Sequence, residues 1–240
     1  MTRRYYLSDL PPVAALAVLP NSESQHAIKV MRIQVGETVE LFDGRGTQAD
    51  ATVVSVTRKE CSVRIEHSSS VDREPNRELT FAIALPKPDR CRELIERLTE
   101  LGVQRVVPIV AVRTQRGPSE NLIGKLRRAV IEACKQSGRN VLMEITEPMS
   151  LAEYVDQPDS TPAIDSTPAK WIAHPDGPIL DFTQIVSIDS ASLLIGPEGG
   201  WTEEEINIAL DAGFKKVGLG KRIYRIETAA VYLAARLVDH

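Results

Sequence analysis

The sequence predicts an α/β protein: a parallel sheet flanked by helices, preceded by a small, mostly β module. Three observations predict it. From Leu79 onward, apolar strand-like runs alternate with helical periods, the order that builds a parallel sheet covered on both faces. Before Ser68, short runs of apolar–polar alternation surround the turn Asp43-Gly44-Arg45-Gly46, as hairpin strands do. Near the C-terminus, two glycine-containing loops follow two strand-like segments, a placement that walls a pocket for a small polar ligand.

Size and charge set bounds. The 240 residues suffice for one large domain or two modest ones, and 42% hydrophobic content is ample for a core. MTRRYYLSDLPP lacks the apolar centre of a signal peptide, and no segment approaches membrane-spanning length, so a cytoplasmic protein without a membrane partner is expected. Cys61, Cys91 and Cys134 lie far apart and form no zinc signature, so no metal is expected. The net charge of −4 does not mark a nucleic-acid binder, but its distribution is uneven. Lys87 to Arg139 carries 12 Lys or Arg against 6 Asp or Glu, whereas residues 140–200 carry 10 acids and one lysine. A basic face beside an acidic stretch is compatible with RNA, and equally with an ordinary solvated helix surface.

Residues 1–72 form the first expected domain. Asn21 to Val30 has the composition of a short helix, and Thr38–Phe42, Asp50–Ser55 and Cys61–Glu66 read as strands of a small barrel. Arg3, Arg4, Lys29, Arg32 and Arg45 are candidate phosphate contacts or lone surface charges. Ser68 to Glu78 is polar, contains a proline and reads as a linker. The second expected domain, 76–240, starts with a strand at Leu79–Leu85, stopped by Pro86 and Pro88. A helix follows over Asp89–Leu101, with Leu94, Ile95, Leu98 and Leu101 on one stripe and Gly102 past its end. Next come a strand at Arg105–Val110 and a long helix at Ser119–Ser137. A flexible insertion is expected at 156–168, where prolines interrupt a stretch with no apolar face. Lys170–Ala173 resumes as a strand before the turn at His174–Gly177, whose histidine reads as structural or surface. Ile185–Ile188 is a further short extended candidate.

The chain ends on its most informative stretch. Leu193-Leu194-Ile195 closes a strand, Gly196 to Gly200 (GPEGG) is a loop with little bulk, and Thr202 with Glu205 has capping-box spacing. A strand near Lys216–Leu219, a polar loop Gly220–Glu227 and an apolar helix Thr228–Val238 complete it. Familiar nucleotide and hydrolase signatures are absent: no phosphate-binding loop ending in Lys-Ser/Thr, no G-x-S-x-G turn, no dinucleotide fingerprint after the first strand.

These residues carry a family resemblance. GPEGG at 196–200, Leu219-Gly220 with Arg222-Ile223, Arg225 and Glu227-Thr228-Ala229, Thr99 to Val103, Glu132-Ala133 with Gln136-Ser137 and Arg139, and His26, Val30, Arg32, Gly36, Phe42-Asp43-Gly44 and Gly46 occur in the order found in the bacterial 16S ribosomal RNA (uracil-N3)-methyltransferases. The chain resembles that family over its length except the proline-rich insertion. The resemblance implies a PUA-like RNA-binding barrel followed by a deep trefoil-knot (SPOUT) α/β domain, S-adenosyl-L-methionine as cofactor, a homodimer, and small-subunit ribosomal RNA as partner, free or within a 30S particle. A ribose 2′-O methyltransferase and a non-catalytic ribosome-assembly protein are the competing readings.

By the same resemblance, Leu194, Gly196, Pro197, Gly199, Gly200, Leu219, Gly220 and Ile223 are the expected cofactor-binding residues, several through their backbone. Arg225, Glu198 and Glu227 are the expected catalytic set. Arg225 would steady charge on the uracil oxygens. Glu198 would bond the loop backbone or orient RNA or cofactor, and Glu227 would lock the loop, pair with Arg225 or accept a proton. Three departures from the family pattern stand out: Pro88 in the turn before the first helix, no proline within Asn140–Ile145, and Ile226 where threonine is frequent.

Overall fold

The computed structural model describes residues 3–157, 168–185 and 188–238. The expected insertion at 156–168 lies almost wholly outside the described residues. The expected extended segment at Ile185–Ile188 lies partly outside them, and its first residue closes a 3-10 turn, Phe182–Ile185. The chain divides into two compact units, Met1–Glu74 with Cys134–Leu142, and Pro75–Ala133 with Met143–His240.

In the first unit, β1 (Arg3–Tyr6), β2 (Leu16–Val18), β3 (Thr38–Phe42), β4 (Thr47–Val56) and β5 (Cys61–Ser70) pair in the order β1-β3-β4-β5-β2. β1 runs parallel to β3 and the other pairs are antiparallel. The hydrogen-bonded path has two ends among the described residues, so the expected barrel is an open five-stranded sheet in its pairing. Register shifts at Asp50/Ala51 and Val53/Ser55 curl β4 against β5. Alternate residues point inward: Tyr5, Leu41, Val53, Val63 and Ile65 form the buried core. The Asp43–Gly46 turn is fastened by the Asp43 carboxylate, whose Oδ1 accepts the N–H groups of Arg45 at 2.7 Å and Thr47 at 3.0 Å. The segment expected as one helix is α1 (Asn21–Gln25) running into a π-turn, His26–Val30.

Segment 134–142 joins this unit through buried polar bonds. Arg4 donates to Cys134 O, Arg139 O and Asn140 Oδ1, and pairs with Glu40. Lys135 pairs with Glu23 at 3.1 Å with both side chains buried, and Arg139 pairs with Glu74. Asn140 also donates to Gln48 Oε1 and Val71 O at 3.2 Å. Here an amide that bonds in two directions stands in the proline-free stretch Asn140–Ile145.

The second unit contains β6 (Glu78–Ile83), α2 (Pro88–Glu100), β7 (Arg105–Val110), α3 (Glu120–Ser137, whose last turn belongs to the first unit), β8 (Glu144–Ile145), β9 (Met149–Ser150), α4 (Leu151–Val155), β10 (Ala169–Ala173), β11 (Ser190–Ile195), α5 (Glu203–Asp211), β12 (Lys215–Val217) and α6 (Ile226–Leu237). The strand order is β12-β10-β11-β6-β7-β8, with β9 also on β7, and every pair is parallel. β11 is buried along its whole length, as an inner parallel strand is. Pro88 sits at the first helical position of α2, where its missing N–H costs nothing. The linker is shorter than expected: Ser68–Ser70 pair in β5, and Arg77 is buried, donating to Ile188 O at 2.6 Å and to Leu237 O.

The loop after β10 runs backbone to backbone against the end of β12. His174 N–H donates to Val217 O at 2.9 Å, Gly218 N–H to Pro178 O at 2.8 Å and Leu180 N–H to Gly218 O at 3.2 Å. A Cβ on Gly218 would lie 2.4 Å from Gly177 O, and one on Gly177 would lie 2.6 Å from the Val217 carbonyl carbon. No flexible side chain is there to give way. Gly218→Ala is therefore expected to cost about 1–3 kcal/mol. Gly124→Ala, at an open position inside α3, should gain up to about 1 kcal/mol. Thermal unfolding of the two variants should move in opposite directions.

Candidate active site

Three loops leave the carboxyl ends of the adjacent strands β12, β10 and β11 and wall a cleft of about 540 Å3. The loop after β11 supplies Gly196, Pro197, Glu198, Gly199, Gly200 and Trp201. The loop after β12 supplies Leu219, Gly220, Arg222, Ile223, Tyr224 and Arg225. His174 and Pro175 come from the loop after β10, and Arg113 from the loop after β7. Nine of the eleven residues expected from sequence line this cleft. The other two do not. Leu194 is fully buried among Ile172, Ala82 and Trp201, since alternation along β11 turns it into the core; its neighbour Ile195 lines the cleft instead. Glu227 lies in the first turn of α6 and pairs with Arg90 at 3.3 Å, not with Arg225.

The glycine loop is fixed from behind. Thr202 and Glu205 form both bonds of a capping box: Thr202 Oγ accepts Glu205 N–H at 3.2 Å and Glu205 Oε2 accepts Thr202 N–H at 2.8 Å. The other oxygen of this buried carboxylate accepts Val112 N–H at 2.8 Å. Arg113 then donates to Gly199 O at 2.9 Å and Trp201 O at 3.3 Å. Trp201 and Ile206 occupy the two positions of a hydrophobic staple around this cap, and both are buried in one cluster. Gly196 crosses the indole so closely that a Cβ there would lie 2.9 Å from Trp201 Cε2 and Nε1. The buried Trp201 Nε1–H has no hydrogen-bond partner among the described residues.

Charge at the cleft is mainly cationic, from Arg113, Arg222 and Arg225. Glu198 is its one carboxylate among the described lining residues, exposed and without a hydrogen bond or ion pair. Burial pushes the Cys91 thiol up to about 11, with help from the carboxylates of Asp89, Glu198 and Glu227. That thiol donates to Pro86 O at 3.0 Å, so it is a packed core group and no nucleophile. His174 Nδ1 accepts Asp176 N–H at 3.2 Å, which leaves the proton of the neutral ring on Nε2. Arg225 is the N-cap residue of α6, exposed and free of ion pairs among the described residues. Tyr224 stacks on Tyr232 of α6 with ring planes 12° apart, and Ile226 is buried, so Arg225 is held between two anchors.

Sequence reasoning missed Arg113, His174, Trp201 and Tyr224. Trp201 was findable, because an aromatic residue just before a capping box is a staple signal. Arg113 carries no local signal; only the fold brings it to the glycine loop.

Comparison with known proteins places this geometry. Residues 73–238 match the family described as the RNA methyltransferase domain, and 19–66 match the RNA methyltransferase PUA domain. Fold and cleft together define an RNA methyltransferase of the SPOUT-like α/β class with a small PUA-like domain in front. The ribosomal RNA small subunit methyltransferase E of Synechocystis is 30% identical over 227 residues, 94% of this chain and 73% of the relative. That of Mycobacterium bovis is 31% identical over 234 residues, 94% of this chain and 87% of the relative. A crystal structure of the Neisseria gonorrhoeae enzyme bound to S-adenosyl methionine superposes with a TM-score of 0.87 at 29% identity, covering 98% of this chain and 96% of that one. The chain belongs to the ribosomal RNA small subunit methyltransferase E family. Among the described residues no helix is long and apolar enough to cross a membrane, and no group of three His, Cys, Asp or Glu gathers to hold a metal.

Glu205→Gln tests the support of the glycine loop. An amide offers one acceptor where two backbone N–H groups now point at two oxygens, so one N–H is left facing an NH2 group. The loss is expected to be about 1–3 kcal/mol, with faster amide hydrogen exchange at Val112 and Thr202 together.

Proposed function

We propose that this chain transfers the methyl group of S-adenosyl-L-methionine to N3 of a uridine in small-subunit (16S) ribosomal RNA, as a cytoplasmic homodimer. The observation that carries the reading is Arg225: an exposed guanidinium, free of ion pairs among the described residues, that lines the same cleft as the glycine loop.

The cleft suits the cofactor on its own terms. Its volume lies in the range of small-molecule sites, about 300–1,000 Å3. The orphaned Trp201 Nε1–H and the backbone of Gly196, Gly199, Leu219 and Gly220 offer polar groups to a ligand that approaches closely. When bound, S-adenosylmethionine supplies an electrophilic methyl group on its sulfonium. The protein's own work is placement and charge. Uracil N3 becomes a nucleophile only as its proton leaves, which moves negative charge onto the flanking carbonyl oxygens. Arg225, reinforced by the positive end of α6, sits to stabilise that charge. Glu198 is the carboxylate that lines the cleft and the candidate to take the proton, whereas Glu227, one oxygen paired with Arg90, does not line it. Ile223, 90% exposed on the same loop, is an apolar side chain that a second copy of the chain would cover.

The decisive experiment incubates the protein with unmodified small ribosomal subunits and maps the methylated atom by mass spectrometry. Methyl on uridine N3 supports the reading; methyl on a ribose O2′, or cofactor binding without transfer, rejects it. Arg225→Ala should keep dimerisation and cofactor affinity while lowering single-turnover methylation on the order of 10²-fold. A near-normal rate in the folded variant would remove Arg225 from the chemistry.

A further inference from the structure

Among the described residues two non-glycine residues occupy the left-handed region, Ala14 at φ 69° and Arg32 at φ 50°. Arg32 comes two residues after the π-turn His26–Val30, in which Met31 N–H reaches back to His26 O at 3.0 Å. Two irregularities of this kind, side by side, mark backbone bent for a purpose.

The bend is enforced from both sides. Ile33 is buried and donates to Ala27 O at 3.0 Å. Gln34 Nε2 donates to Arg32 O at 3.1 Å, while the Glu37 carboxylate accepts Gln34 N–H at 2.9 Å and pairs with Arg3. Glycine would meet these demands with no Cβ penalty. What the position keeps by having arginine is the guanidinium.

That guanidinium is exposed and has no ion pair or hydrogen bond among the described residues, and the same is true of the Lys29 ammonium. The other cations that the sequence offered as phosphate contacts are engaged: Arg3 by Glu37, Arg4 by Glu40 and Asn140, and Arg45 by Ser8 O and Asp43. Val30 and Val35, 65% and 61% exposed, flank the two free charges. Gln25 donates to Lys59 O at 3.3 Å, which draws the turn bearing the exposed Arg58 and Lys59 to the same end of the sheet. Unpaired cations beside small apolar surface suit a sugar–phosphate backbone, and no aromatic platform for stacking bases is exposed among them.

We infer that the His26–Arg32 bend is the RNA-docking element of the first unit, with Arg32 and Lys29 on substrate phosphates; this rests on the reading of the protein as an RNA methyltransferase. Arg32 is a positioning residue and is not among the residues lining the cleft. The substitution Arg32→Gly separates docking from structure, because it removes both the charge and the backbone strain. It should raise the unfolding temperature while weakening binding of an unmodified small-subunit ribosomal RNA transcript about tenfold. The slope of log affinity against log salt should shrink by about 0.7–0.9, one phosphate contact. KM for the RNA should rise with kcat at saturating RNA unchanged, Arg32→Lys should recover most of the affinity, and Lys29→Ala should weaken it in the same way. Unchanged RNA affinity and salt slope in Arg32→Gly overturn the assignment. So does retained affinity for the bare transcript with lost affinity for the assembled subunit, which would make this a protein contact. Wild-type protein that neither binds nor methylates the RNA would instead sink the functional reading on which the assignment rests.

Discussion

A single buried carboxylate sets the shape of the cleft. Glu205 caps α5, and the same group holds the loop after β7 through Val112 N–H. Two loops from strands that are not neighbours are thereby fixed to one atom group, and Arg113, next to Val112, is delivered to the carbonyls of Gly199 and Trp201. A loop as poor in side chains as Gly196–Gly200 has little packing of its own to order it. Its rigidity is borrowed from the cap, the clamp and the indole beneath it. The wall it presents can then be made of backbone, which a loop ordered by its own side chains could not be.

The same economy appears in the first unit with different chemistry. Arg4, Lys135 and Arg139 are charged groups taken out of water, and each has a carboxylate partner, with the backbone carbonyls of Cys134 and Arg139 also on Arg4. Such pairs add little net stability, but removing one partner would strand a buried charge at a cost of about 3–5 kcal/mol. Their role is to dictate where segment 134–142 belongs. An apolar contact would allow the segment to slide; a guanidinium bonded at once to Glu40, Cys134 O, Arg139 O and Asn140 Oδ1 does not.

Much of this was legible from sequence because it is local. The strand Arg105–Val110, the helix stripe Leu94–Leu98, the Asp43–Gly46 turn and the Thr202–Glu205 cap are each written in a few adjacent residues, and each stands where periodicity or capping put it. What escaped was set by distance in the chain. Nothing near Cys134 announces that the end of α3 joins the first unit, because the partners Arg4, Glu23 and Glu74 lie 65 to 136 residues from the groups they bond. The cleft shows the same divide. Both glycine loops were readable, whereas the side chain of Leu194, offered for its backbone, is buried in the core and its neighbour Ile195 lines the cleft. Of the roles offered for Glu227, pairing with Arg225 is not the one seen: a helix start turns residues two apart away from each other, and its actual partner, Arg90 of α2, was invisible to local reasoning.

The proposed roles divide the charges by pairing state more than by position. Arg4, Arg90 and Arg139 face carboxylates, and Arg113 donates to the backbone carbonyls of Gly199 and Trp201. Arg225, Arg32, Lys29 and Glu198 are left open among the described residues, although each stands on backbone that is firmly held. A flexible unpaired side chain on a flexible loop would lose affinity to ordering entropy when it met a ligand. Here the backbone entropy is lost on folding, and only the side-chain rotamer remains to be fixed. The Tyr224–Tyr232 stack behind Arg225 and the buried Ile33 behind Arg32 serve one purpose in two unrelated folds: both hold a cation out to solvent so that an anion arriving later meets a donor already in place.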